Sequence, residues 1–442
     1  MKRFISSFLV LIVLMSFLAV VSMADSYTPP FEVNAQSVYM ANLDSSMMIY
    51  EKDADVKVSC DILSQLMTVV LAIENIENPE STQISMRGYI QDEMSDAGRM
   101  YGTIPLGGLY KGEKLSALNL MYAVMLQNAS EAAYMLADYI GDGSESYFVQ
   151  LMNHRAKELG MKNTNFTNST GLPDENAYTT AYDAYILARH AVKLPIFNDL
   201  ISVKSHNGGP TSRQDELYWY TLNSFLKSSS DYYRPDFTAV KVGSNASTGQ
   251  SSSVIFAKKN GYTYALSILN CRSSTGEKSD NKAAVFSESI RLFDWAFSTF
   301  KVKTLLEQGK SFQEVPLKLC AGKDYLRCMS AHDFSALIPD EIEASSVKFD
   351  LSLPNFVNAP VKKGDMIGEA ILVLSGKPIG KVAIVSAEDA QTSSLLVVME
   401  NLHRLIRGYP FKFVVCFIGI SILFYVTYTI LNNRNRMRYR KR

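Results

Sequence analysis

The chain has 442 residues, too many for one small core and enough for two or three domains. Its 44 basic and 44 acidic residues balance, which excludes a whole-chain field that would draw nucleic acid. The five histidines (His154, His190, His206, His332, His403) are scattered, and no CxxC or HExxH string is present, so neither a metal site nor a cofactor is expected.

The chain opens with Met1-Lys2-Arg3, a long apolar run and a small-x-small site at Ser22-Met23-Ala24. This is the pattern of a secretory signal over 1–24, and an uncleaved anchor is the alternative. "SVYMANLDSSMMIYEKDADVKV" alternates like two strands about a turn at Asp44-Ser45-Ser46 and predicts a hairpin. "CDILSQLMTVVLAIE" follows, with Leu63, Leu66, Met67, Val70 and Leu71 at the spacing of a helix with one core-facing side. A turn at Lys111-Gly112 leads into an amphipathic helix and then a second helix ending near Gly141. "SYFVQLMNHRAKELGM" is a further helix. Beyond a Gly-Pro loop, Thr179 or Thr180 caps another, with Asp183 in its first turn. "FTAVKVG" and "SSVIFAKKNGYTYALSILNC" read as strands, the latter folded at Asn260-Gly261 into a hairpin, and "AAVFSESIRLFDWAFSTF" as a closing helix. Helices grouped between strands at both ends indicate an α+β domain over 25–303.

Short alternating runs broken by Gly, Pro and Asn then predict a small all-β domain over 304–392. Within it Cys320 and Cys328 flank "AGKDYLR", which reads as a hairpin turn. A cross-strand disulfide and two free thiols on neighbouring strands both fit. A juxtamembrane helix over 393–408 places Leu395, Val398, Met399, Leu402 and Leu405 on one stripe. Phe413 to Leu431, uncharged over nineteen residues, is long enough to span a bilayer as an anchor within 409–432. The tail at 433–442 carries Arg434, Arg436, Arg438, Arg440, Lys441 and Arg442, which orients it to the cytoplasm and everything before the span to the other side.

Five stretches, taken in order, resemble the D-alanyl-D-alanine carboxypeptidases, the low-molecular-mass penicillin-binding serine peptidases of bacterial cell walls. They are "SVYMANLDSSMMIYEKDAD", "QLMTVVLAIE", "YKGEKLSALNLMYAVMLQNASEAAYMLADYIG", "NSTGLPDENAYTTAYDAYILARHA" and "FTAVKVGSNASTGQSSSVIFAKKNGYTYALSILN". "NAPVKKGDMIGEAIL" extends the likeness into the β domain, so that it covers about residues 33 to 389. The resemblance implies a penicillin-binding or β-lactamase-like transpeptidase domain, then the small all-β domain and the transmembrane helix. It also implies a bacterial cell-membrane protein, single-pass, with its bulk on the extracytoplasmic side.

The family carries Ser-x-x-Lys, Ser-x-Asn and Lys-Thr-Gly. The matching positions here are degenerate. Ile62 stands for the nucleophilic serine and has no lone pair. Gln65 stands for the lysine base and is a neutral amide. Ser64 is the candidate for a shifted nucleophile, but its neighbour three residues on is Met67, and it points roughly 200° away from the old direction. Two further Ser-x-x-Lys strings, Ser224 to Lys227 and Ser345 to Lys348, lie outside any such helix head. The second motif reads Asn128-Ala129-Ser130, its polar residues exchanged. They serve either a ligand or the turn between two helices. The third reads Lys241-Val242-Gly243: the resemblance implies that Lys241 faces a ligand anion and Gly243 allows close approach, and the plain alternative is an exposed strand lysine.

The expectation is therefore a catalytically inactive relative that binds peptidoglycan stem peptides or cell-wall proteins, anchored in the membrane. An active carboxypeptidase with an unconventional nucleophile and a scaffold whose groove holds no ligand are the alternatives.

Overall fold

The computed structural model describes residues 28–439 apart from 45–46, 103, 246–247, 274–280 and 375. The expected signal, two positions of the first turn and the last three residues of the basic tail lie outside the described residues. The chain divides into two units. One closes at Lys301 and takes in Leu337–Asp340; the other comprises Val302–Ala336 and the chain from Glu341 onward.

The first unit is built on a five-stranded antiparallel sheet. Strands β1 (Ser37–Asn42) and β2 (Met48–Lys52) form the predicted hairpin. They are followed by α1 (Ile62–Asn75), β3 (Gln83–Ser85), α2 (Gly88–Tyr101), β4 (Lys114–Ser116), α3 (Ala117–Gln127), α4 (Ser130–Ile140), α5 (Glu145–Leu159), α6 (Ala181–Ala191) and α7 (Phe197–Ser202). A ribbon of β5 (Ser205–Asn207) and β6 (Tyr218–Tyr220) precedes β7 (Phe237–Ser244), β8 (Ser251–Lys259), β9 (Tyr262–Cys271) and α8 (Asn281–Thr299). The sheet order is β2-β1-β9-β8-β7, so the first hairpin pairs with the last strand and β7 is an edge. Asn260 and Gly261 both adopt positive φ, 53° and 83°, which matches the tight turn expected between β8 and β9. Thr180 Oγ1 accepts from Asp183 N at 3.1 Å, so Thr180 is the cap of α6.

Aromatic side chains cover both faces of the sheet. Phe237 and Tyr264 pack with Phe293 and Phe297 of α8, and Tyr39 packs against Tyr182 and Tyr185 of α6. Helix α1 departs from the one-sided pattern. Every residue from Ile62 to Ala72 is buried, because α3, α4, α6 and β7 all pack around it. Its polar residues must therefore find partners inside the protein.

The chain crosses between the units in β10 (Phe300–Leu306) and β14 (Phe334–Pro339). The second unit holds β11 (Val315–Lys318), β12 (Tyr325–Leu326), β13 (Cys328–Ser330), β15 (Lys348–Ser352), β16 (Val357–Asn358), β17 (Met366–Leu374) and β18 (Lys377–Ser386). They form a three-stranded sheet, β12-β11-β16, and a four-stranded sheet, β13-β18-β17-β15. Cys320 and Cys328 form no disulfide. They belong to different ladders, Cys320 bridging to Thr392 and Cys328 pairing with Ser386. Helix α9 (Ser394–Arg407) leaves its apolar stripe exposed, including Leu395, Val398 and Leu402. It leads into α10 (Tyr409–Tyr439), whose stretch Lys412–Asn432 is long and apolar enough to cross a membrane.

Candidate functional site

Four of the positions singled out in the sequence meet where α1 begins. Ile62 is the first residue of α1 and 5 % exposed. Its Cγ2 fills the space beside Gly243 on β7, so that a Cβ at position 243 would overlap it, and the same Cβ would lie 3.0 Å from Asn128 Nδ2. Gly243 is needed there for close approach of strand and helix. Asn128 is the C-cap of α3 in the left-handed conformation (φ 57°), a position its short amide side chain tolerates. Its Nδ2 donates to Val242 O at 3.0 Å.

Gln65 lies almost one turn further along α1. Its Nε2 donates to Asn128 O at 2.9 Å and to Thr170 O at 2.8 Å. One amide nitrogen thus ties α1 to the end of α3 and to the loop before α6. Both bonds come from a neutral amide, which has no useful basicity. Gln65 Oε1 and Asn128 Oδ1 are buried without a partner among the described residues. Ser130 heads α4, buried, with its N–H donating to Pro105 O.

Ser64 is 1 % exposed in the body of α1, with its carbonyl taken by Thr68 Oγ1 and Met67 fully buried one turn on. Met67 offers no base along that face. Ser224 sits on a short 3-10 turn before an exposed Lys227, and Ser345 and Lys348 are exposed in the second unit. None of these pairs reproduces a nucleophile on a buried helix head.

Lys241 corrects the sequence reading. It is not the exposed strand lysine of the plain alternative. The side chain is 2 % exposed, and Nζ donates to Val124 O in the last turn of α3. A bulge sets its direction: Ala239 pairs with Ile255 but Lys241 with Val254, so Lys241 turns to the opposite face from Ala239 and shares the face that Gly243 presents to Ile62 and Asn128. Burial pushes its ammonium well below the usual lysine range.

Two groups not singled out in the sequence also shape the site. Asp61, just before α1, has φ 30° and ψ −110°, a costly conformation for a residue with a side chain. Its Oδ1 accepts from Ser59 Oγ at 2.6 Å and from Asn245 Nδ2 at 2.8 Å, linking the helix entrance to the segment after β7. Burial raises its carboxyl, and the Ser59 and Asn245 bonds oppose that. Gly171, at φ 74°, backs onto this junction, where a Cβ would stand 2.5 Å from Asp61 O. Glu131, beside Ser130, accepts from Gly107 N at 2.6 Å and Leu109 N at 3.3 Å. Burial pushes its carboxyl up to about 7, against the pull of those backbone donors. An aspartate before a helical run is a start signal visible in the sequence. Asn245 gave none.

Residues 23–273 match the family described as D-alanyl-D-alanine carboxypeptidase, and residues 300–392 match the C-terminal domain of penicillin-binding protein 5. The D-alanyl-D-alanine carboxypeptidase DacF of Bacillus subtilis is 24 % identical over 91 % of this chain and 98 % of its own length. Among solved structures, penicillin-binding protein 5 of Haemophilus influenzae superposes with a TM-score of 0.59 at 21 % identity, over 82 % of this chain and 99 % of that one. The Streptococcus pneumoniae protein described as a peptidoglycan synthesis regulatory factor (PBP3) does so with 0.61 at 21 % identity, over 82 % and 100 %. These structures share the fold.

Proposed function

Because the chain belongs to the D-alanyl-D-alanine carboxypeptidase family, we propose that it works in peptidoglycan metabolism as a member that binds without cleaving. The observation that carries this is the head of α1. A branched aliphatic side chain fills the place of the nucleophile against Gly243, and a neutral amide, bonded to Asn128 O and Thr170 O, stands at the place of the base. An acyl-enzyme requires an oxygen or sulfur nucleophile with a proton acceptor beside it. Ile62 and Gln65 supply neither, and Ser64 is buried beside Met67.

The ligand class is the peptidoglycan stem peptide. β7 is a sheet edge, the kind of element to which an extended peptide adds, and Gly243 and Asn128 line it at the end of α1. Ser130 heads the adjoining helix. The closed contact of Ile62 with Gly243 also favours a second reading, in which the partner is another wall protein and the old groove stays empty. The C-terminal helix holds the protein in the bacterial membrane, with the chain before the span on the extracytoplasmic side and the basic tail in the cytoplasm.

The full chain in detergent should release no D-alanine from an acyl-D-alanyl-D-alanine peptide. The same peptide should bind at equilibrium, and Asn128→Ala should weaken it. D-Alanine release overturns the non-cleaving reading; absence of binding to both forms transfers the case to the protein-partner reading.

A further inference from the structure

Helix α10 is longer than the membrane it crosses. Its apolar stretch Lys412–Asn432 has 21 residues, about 31 Å at 1.5 Å per residue, which matches a hydrocarbon core of about 30 Å. The helix continues to Tyr439, about two turns further. Arg434, Arg436 and Arg438 lie on those turns, and Arg440, Lys441 and Arg442 follow in the sequence. No acidic residue comes after Glu400, so neither α10 nor the tail carries a carboxylate side chain to offset this charge.

Height and angle determine what these cations meet. Arg434 stands two residues and Arg438 six residues past Asn432, about 3 Å and 9 Å along the axis. The headgroup layer is about 5–8 Å thick on each side of the core, so the arginines stand at its depth. Residues two apart on a helix are rotated by about 200°. Alternate arginines therefore run round the circumference and not along one stripe. A protein groove or a nucleic-acid strand touches one side of a helix, whereas a headgroup layer surrounds it.

We propose that α10 ends in a cationic collar that binds the phosphodiester headgroups of anionic phospholipids, with Arg434, Arg436 and Arg438 as its helical members. Each guanidinium presents a fork that suits two phosphate oxygens. The tail then does more than orient the span: it selects the lipids around it. The collar rests on α10 crossing the membrane and is independent of what the groove binds.

The full chain in detergent, offered equal amounts of dioleoylphosphatidylglycerol and dioleoylphosphatidylcholine, should retain the anionic lipid better by about tenfold or more in native mass spectrometry. That preference should shrink as salt rises. Changing all six cations, Arg434→Gln, Arg436→Gln, Arg438→Gln, Arg440→Gln, Lys441→Gln and Arg442→Gln, should abolish the preference, while replacing the five arginines by lysine should keep most of it. Wild type and both variants should resist alkaline extraction from membranes. Equal retention of the two lipids by a chain that resists extraction overturns the collar alone, as does a preference that survives the six-fold glutamine variant. Displacement of the lipid by polyuridylate overturns it in favour of a nucleic-acid partner. Extraction of the wild type by alkali overturns the spanning helix and the collar with it.

Discussion

The contact between Ile62 and Gly243 makes the sharpest mechanical prediction. Gly243→Ala puts a methyl into the volume held by Ile62 Cγ2 and close to Asn128 Nδ2. Overpacking of this kind costs about 1–3 kcal/mol. Ile62→Ala, at a 5 % exposed position, empties the same volume and costs about 2–5 kcal/mol. If the two side chains share one space, the new methyl in the double variant occupies what the isoleucine vacated. The combined loss should fall short of the sum by about 1–2 kcal/mol. At about 2–4 °C per kcal/mol for a unit of this size, thermal unfolding followed by circular dichroism resolves that difference. Strict additivity would refute the packing on which the closed site rests.

Gln65→Leu should cost about 2–4 kcal/mol, because Asn128 O and Thr170 O lose their donor inside the protein, whereas Gln65→Lys retains a donor to both; urea unfolding compares them. Glu131 gives a pH signature. Its folded value of about 7 lies above its ordinary 4.5, so the fold favours the protonated acid. Its contribution is most favourable below about pH 4.5 and is lost as the pH rises to about 7, by about 3 kcal/mol for a shift of this size. Glu131→Gln should flatten that slope in unfolding free energy against pH, and an unchanged slope would place the titration elsewhere.

Much of this architecture was legible in the sequence because the signals were local. Alternation around the first hairpin, the Asn260-Gly261 turn and the Thr180 cap each follow from residues close in the chain. The short ribbons β3–β4 and β5–β6 were not, since three residues carry too little alternation to register. The identities at 62 and 65 carried the expectation of a lost nucleophile and base directly. The fate of Lys241 could not be read, because a bulge changes which face a residue takes without leaving a mark in composition. The full burial of α1 was hidden for a related reason. Ser64, Gln65 and Thr68 look like a polar face until their partners, supplied by distant loops, are in place.

The most direct test of the central claim is intact-mass spectrometry of the full chain after exposure to a β-lactam. An emptied nucleophile position predicts an unshifted mass at every concentration and time. A mass increase equal to one opened β-lactam, abolished by Ser64→Ala, would contradict it and establish Ser64 as a working nucleophile.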